Sequence, residues 1–221
     1  MVELVAHRAG NAIDSIAAAA AAADTIELDV HRFRSRLEVR HAKVFWPSRH
    51  QWERWWVDWS PDEPTSLRAI LDEPPVDVPL WLDLKGFSTR LTTSVTRELM
   101  VERPATMSSR SWWILRPARR CGYRTMRSVG SRWQLWCVHR IRRWSGSDGI
   151  AINERLLTAR SLPSLLELAP SVVAWGVTDV ARAEQLIAAG VQGLILDDLE
   201  LIASIRQRAG KPSNTAATTD R

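Results

Sequence analysis

Eight times along this chain a short run rich in Val, Ile and Leu is followed by a longer stretch with helical spacing. That alternation constrains the fold more than any other feature. Taken as strand then helix, the pairs are Leu4–Ala9 with Ile13–Ala23, Thr25–Val30 with Thr65–Glu73, Leu80–Lys85 with Thr89–Val101, and Ala105–Ser109 with Trp112–Arg120. They continue as Arg124–Val129 with Trp133–Arg143, Gly149–Asn153 with Pro163–Leu168, Val172–Val177 with Val180–Ala189, and Gly193–Leu196 with Glu200–Arg208. Strands alternating with helices make a parallel sheet covered by helices. Eight repeats in 221 residues predict an α/β chain of the (β/α)8 TIM-barrel class, near the lower size limit of that fold. A doubly wound open sheet is the alternative. The strand ends favour the barrel, because His7-Arg8, Glu27 and Asp29, Asp83 and Lys85, Ser108-Ser109, Arg127, Asn153-Glu154 and Asp197-Asp198 would gather at one mouth. No domain boundary interrupts residues 1–209. The small, polar stretch 210–221 reads as a disordered tail.

Composition excludes several classes. With 45% hydrophobic and 25% charged residues, the chain is neither a disordered tail protein, a collagen nor a disulfide scaffold. Cys121 and Cys137 match no metal or redox spacing. The net charge of +5 invites a nucleic-acid reading, but all except three of the 30 basic residues are arginine. An Arg-rich, Ala-rich compositional habit accounts for that tally, and no nucleic-acid partner is expected. The seven alanines Ala17–Ala23 are bracketed by Asp14 and Asp24 and are too few to span a bilayer. No transmembrane segment is expected, and the location reads as cytoplasmic.

One region breaks the rhythm. After the second strand a hairpin turns at Arg34-Ser35-Arg36 and returns through Leu37 to His41. A tryptophan-rich excursion follows, with Trp46, Trp52, Trp55, Trp56 and Trp59 inside 14 residues. It reads either as a lid offering stacking surface beside the mouth or as rings that plug the barrel end or pack on neighbouring helices. The second is the expectation, since tryptophan is usually buried.

The second strand carries the chemistry. Side chains alternate along a strand, so Glu27 and Asp29 point to one face while Ile26, Leu28 and Val30 point to the other. Inside a barrel two such carboxylates need partners or a cation. Asp83 and Lys85 repeat the pattern on a neighbouring strand. Three carboxylates together make a hard-cation site suited to Mg2+ or Ca2+. A salt-bridge network among Glu27, Asp29, Asp83, Lys85 and Arg8 is the equal alternative. Three of the five histidines fall around this cluster: His7, His31 and His41. Two imidazoles beside a metal-bound phosphodiester can serve as general base and general acid near neutral pH. His31 reads as structural, and His50 and His139 have no assigned role.

These residues, in this order, resemble the glycerophosphodiester phosphodiesterases. The likeness rests on His7-Arg8-Ala9-Gly10, Glu27-Leu28-Asp29-Val30-His31, His41, Pro64-Thr65-Ser66-Leu67 and Asp83-Leu84-Lys85. It continues through Ala174-Trp175-Gly176-Val177-Thr178-Asp179 and Gly190-Val191-Gln192-Gly193-Leu194-Ile195-Leu196-Asp197. The resemblance implies a barrel that hydrolyses a small-molecule glycerophosphodiester with a divalent cation. It implies His7 and His41 as the acid-base pair, Glu27, Asp29 and Asp83 as cation ligands, and Arg8 and Lys85 on the phosphate. Lys43 is a further candidate phosphate contact and Trp175 a candidate wall for a glycerol-sized group. The chain departs from the family at Ala9 in "H-R-G", at Ile13-Asp14-Ser15 for "E-N-T", at Ala42 in "H-D" and at Asp83 for the usual Glu. A lysophospholipid-like diester and a non-catalytic barrel holding a phosphorylated ligand are the alternative functions.

Overall fold

The computed structural model describes residues 2–44, 50–53, 56–59, 63–72, 78–85, 89–102, 112–114, 149–169 and 171–209. The chain opens with β1 (Glu3–Ala6), a 3-10 turn over Ala9–Asn11, and helix α1 (Ile13–Ala22). Strand β2 (Thr25–Phe33) turns back into β3 (Arg36–Val39). Three short strands, β4 (Lys43–Val44), β5 (Gln51–Glu53) and β6 (Trp56–Asp58), precede β7 (Thr65–Ser66) and α2 (Leu67–Asp72). Then come β8 (Leu80–Leu84), α3 (Thr89–Glu102) and β9 (Trp112–Ile114). The last third holds β10 (Ile150–Asn153), α4 (Leu162–Leu168), β11 (Val172–Trp175), α5 (Val180–Ala188), β12 (Gly193–Leu196) and α6 (Leu199–Ala209).

Among the described residues, parallel pairing runs in the order β10-β11-β12-β1-β2-β8-β9. The first strand thus pairs with the last and with the second, as barrel closure at the chain ends requires. Side-chain alternation sorts two cores. Leu4, Ala6, Ile26, Leu28, Val30, Leu80, Leu82, Val172, Ala174, Leu194 and Leu196 face outward and pack with Ile16 and Ala19 of α1, Leu186 of α5 and Ile202 of α6. Val5, Trp81, Val173 and Ile195, with Ala151 and Trp175, form a separate inner cluster. Each such fully buried aliphatic side chain contributes about 1.5–3 kcal/mol relative to exposure.

Helices form where the spacing predicts them, with local caps. Asp179 accepts from the Arg182 amide at 2.8 Å and starts α5. Ser66 accepts from the Ala69 amide at 3.1 Å and starts α2. The expected helix therefore begins at Leu67, because Thr65 and Ser66 pair with Val39 and Glu38. A second correction concerns residues 112–114. They were expected to open a helix, yet they form β9, parallel to Leu80–Leu82. Two aromatics and a β-branched residue suit a strand, and β8 offers the backbone edge. The expected strands at 105–109 and 124–129, the helix at 133–143, both cysteines, His139, Ser108-Ser109-Arg110, Arg127 and the tail at 210–221 lie outside the described residues.

The excursion forms its own antiparallel sheet, β4-β5-β6. Trp52 is 38% exposed and Trp59 is 71% exposed, so the expectation that these rings plug the barrel end fails for both. Lys43 Nζ sits 5.4 Å from the Trp52 ring centre, and the His50 ring meets Trp59 edge-on at 4.8 Å. Trp46 and Trp55 lie outside the described residues. Among the described residues no helix is long and apolar enough to cross a membrane.

Candidate active site

The C-terminal ends of β1, β2, β8 and β12 bring the expected residues together. Immediately after β1 the backbone of Arg8 adopts the left-handed conformation at φ 56°, which costs a non-glycine residue roughly 1–2 kcal/mol. That turn aims the Arg8 amide at Glu27, which accepts at 2.6 Å through Oε2. Gly10 follows because a Cβ there would stand 2.8 Å from Leu28 Cβ. The turn therefore lies flat on β2, and Asn11 can reach Asp29.

Glu27, Asp29 and Asp83 offer carboxylate oxygens that all lie within 4.8 Å of one another. Both Glu27 and Asp29 are buried. Burial, then the neighbouring Asp29 and Asp83 charges, push the Glu27 carboxyl up to about 8, against a lowering by the Arg8 amide and Lys85. Burial also raises Asp29, but the Lys85 ammonium and the Lys85 and Asn11 hydrogen bonds outweigh it and hold that carboxyl below its ordinary value. Lys85 Nζ stands 2.6 Å from Asp29 Oδ1 and also contacts Asp83 Oδ2. Burial lowers the Lys85 ammonium, yet the two aspartates override it and keep it charged. Of the two expected readings, the salt-bridge network is present as contacts, and the cation reading rests on the spacing of the donor set. The ion-pair network exists, and the donor set of three hard oxygens also fits a divalent cation. Among the described residues Glu27 is the one of the three carboxylates without a Lys or Arg ion pair.

The two histidines approach from different sides. His7 Nδ1 is 2.5 Å from Asp197 Oδ1, and its Nε2 is 3.9 Å from Glu27 Oε2. With Asp197 ionised, Nδ1 donates and the Nε2 lone pair faces Glu27. His41 Nε2 lies 2.7 Å from Arg8 Nη2. A guanidinium can only donate, so His41 accepts there and is neutral in this arrangement. Arg8 Nε is buried, 3.9 Å from Asp29 Oδ2, with no hydrogen-bond acceptor among the described residues. His31 is held neutral, at about 3, by burial first and by Arg40 second, in keeping with its structural reading.

Two further expected residues have other neighbours. Lys43 is exposed on β4 against Trp52. Trp175 is part of the inner cluster, and its indole N–H is buried without a partner among the described residues. Gly176 beside it, at φ 79°, passes so close that a Cβ would meet Asn153 Nδ2 at 2.9 Å.

Sequence reasoning passed over three residues. In the sequence Asp197 reads only as a strand end, although a carboxylate at the mouth is the natural partner of a strand-end histidine. Asn11 donates to Asp29 Oδ2 and accepts from the Asp29 amide, both at 2.8 Å. Its position in a polar turn resembles a helix cap and carries no signal of that role. Arg40, directly before His41, carries no motif of its own in the sequence.

An α/β barrel of the TIM class with carboxylates, imidazoles and cations converging at its mouth is the class these features define. Solved structures with this fold include a glycerophosphodiester phosphodiesterase from Thermotoga maritima, with a TM-score of 0.64 and 13% identity over 93% of this chain and 99% of that one. Another, from Parabacteroides distasonis, has a TM-score of 0.61 and 17% identity over 94% and 98%. A third is an Oleispira antarctica phosphodiesterase in complex with its product sn-glycerol-3-phosphate, with a TM-score of 0.60 and 13% identity over 95% and 97%. The chain shares the TIM-barrel fold of these glycerophosphodiester phosphodiesterases. No family model matches the chain, and no curated protein matches it in sequence.

Proposed function

We propose that this chain hydrolyses a phosphodiester, with a glycerophosphodiester as the substrate class, giving a phosphomonoester and an alcohol. The observation that carries the reading is the meeting of Glu27, Asp29 and Asp83 with His7, His41, Arg8 and Lys85 at one barrel mouth. The three carboxylates would hold Mg2+ or Ca2+, which when bound polarises phosphoryl oxygens and offsets their charge. Arg8 and Lys85 add fixed positive charge for the transition state, and Arg8 Nε is a donor with no hydrogen-bond acceptor among the described residues.

His7, steadied by Asp197, takes the proton of the attacking water or substrate hydroxyl at Nε2. Arg8, turning from His41 onto the phosphate, frees His41 Nε2 to take up a proton from solvent, which the resulting imidazolium gives to the leaving oxygen. The exposure of Trp52 and Trp59 favours one second reading, in which the alcohol side carries an acyl chain or an aromatic group. Release of glycerol phosphate from a short glycerophosphodiester, compared with a lysophospholipid, tests the substrate class. A preference for the short diester supports the first reading, and a preference for the lipid supports the second. Binding of either without turnover marks a non-catalytic barrel and contradicts both.

A further inference from the structure

A buried ion pair joins Glu38 of β3 to Arg40, just past the end of that strand. Glu38 and Arg40 are 2% and 8% exposed, and Arg40 Nε donates to Glu38 Oε2 at 3.1 Å. The Arg40 amide bond to the Asp29 carbonyl continues the β3 pairing by one residue, so Glu38 and Arg40, two residues apart, share a face. Glu38 lies opposite His31 in the hairpin, so the same face continues through His31 and Asp29 on β2. Burying a charge pair is seldom a gain in stability over an apolar pair of similar volume. Its effect is geometric.

The Arg40 amide donates to the Asp29 carbonyl at 3.0 Å, tying the chain before His41 to β2. The Arg40 side chain reaches forward, and its Nη1 donates to the Ala42 carbonyl, tying the chain after His41. Glu38 fixes the same guanidinium through Nε. A rigid fork of donors makes both contacts at once, which a lysine ammonium cannot reproduce in that geometry.

We propose that the Glu38–Arg40 pair positions His41, stapling the backbone on either side of it so that Nε2 meets Arg8 at the mouth. Its kinetic consequence rests on the phosphodiesterase reading, whereas its structural consequence does not.

Two variants test it. Glu38→Leu with Arg40→Met removes both charges and leaves apolar bulk, and Arg40→Lys keeps the charge without the fork. For each, kcat and KM on a phosphodiester are measured together with the NMR resonances of the His41 imidazole nitrogens. The expected result is a fall in kcat of about ten- to a hundredfold, the scale of a misplaced reacting group. KM stays within about twofold, and the Nε2 resonance moves away from its hydrogen-bonded position. An unchanged His41 resonance overturns the proposal whatever the rate does. Unchanged kcat in a protein that turns over the diester overturns it equally. Should the wild type hydrolyse no phosphodiester, the activity reading fails on its own and the imidazole resonance decides the positioning role. If the double variant does not fold, Arg40→Lys carries the test.

Discussion

Asp197 Oδ1, at the end of β12, and His7 Nδ1, at the end of β1, meet at 2.5 Å, although 190 residues separate them in sequence. The contact exists because β1 and β12 are parallel neighbours, with Ala6 level with Leu196. It fixes which ring nitrogen of His7 faces the carboxylate cluster. Replacing Asp197 by Asn removes the charge that stabilises a protonated His7 and favours the other tautomer. The expected loss in kcat is about 10²–10⁴-fold, with KM nearly unchanged. The Asp197 side chain is 74% exposed, so the melting temperature should barely move. Steady-state kinetics beside a thermal melt check both halves.

Asn11 holds Asp29 by two hydrogen bonds, one given and one received. Asn11→Ala leaves a buried carboxylate oxygen and the Asp29 amide without these partners. Destabilisation of about 1–3 kcal/mol is expected, read from urea unfolding. Asn11→Asp should cost more, since it sets a second carboxylate against Asp29 where the amide donated.

How much of this was legible in the sequence depends on the range of the contact. The segregation of Glu27 and Asp29 from Ile26, Leu28 and Val30 follows from the two-residue period of a strand. The inner and outer clusters divide as that period requires. The hairpin from Phe33 to Arg36 was equally plain, because Arg34-Ser35 separates two runs that pair from Val30 with Val39 onward. The His7–Asp197 contact was not legible, since it depends on which strands become neighbours. Residues 112–114 were misread because two tryptophans and an isoleucine carry no period in three positions, and only the edge of β8 decides their state. The exposed rings of Trp52 and Trp59 were misread because average burial says nothing about a small sheet that stands by itself.

The raised Glu27 carboxyl has a consequence for stability in cation-free protein. Between its ordinary value of 4.5 and about 8, the folded state holds a proton that the unfolded state has lost. Stability contributed by this group is therefore complete below pH 4.5 and falls as pH rises towards 8. The slope is at most about 1.4 kcal/mol per pH unit. Chelator-treated protein should melt at lower temperature as pH rises from 5 to 8, and Glu27→Gln should flatten that trend. A divalent ion competes with the same proton, so its affinity should rise over the same range, which calorimetric titration measures.

Trp52 and Trp59 make the excursion sheet a candidate contact for the substrate's alcohol group. Changing both to Ala should cost no more than about 0.5 kcal/mol at Trp59, as at other exposed positions, and more at Trp52, which is only 38% exposed and lies against Lys43. Under the glycerophosphodiester reading, hydrolysis of a short diester is unaffected. Under the acyl-chain reading, kcat/KM for a lysophospholipid falls while the short diester is spared. Parallel assays of the two substrates separate these outcomes.

The most direct test of the central claim is hydrolysis of a chromogenic phosphodiester with Mg2+ or Ca2+ and with chelator, for the wild type, His7→Ala and Glu27→Gln. Cation-dependent turnover is expected in the wild type, removed by chelator and restored by adding the ion back. His7→Ala should lose about 10²–10⁴-fold of the rate, and Glu27→Gln should need far more cation to reach any activity. Turnover that ignores the chelator, or that survives unchanged in either folded variant, would contradict an active site built on this barrel mouth.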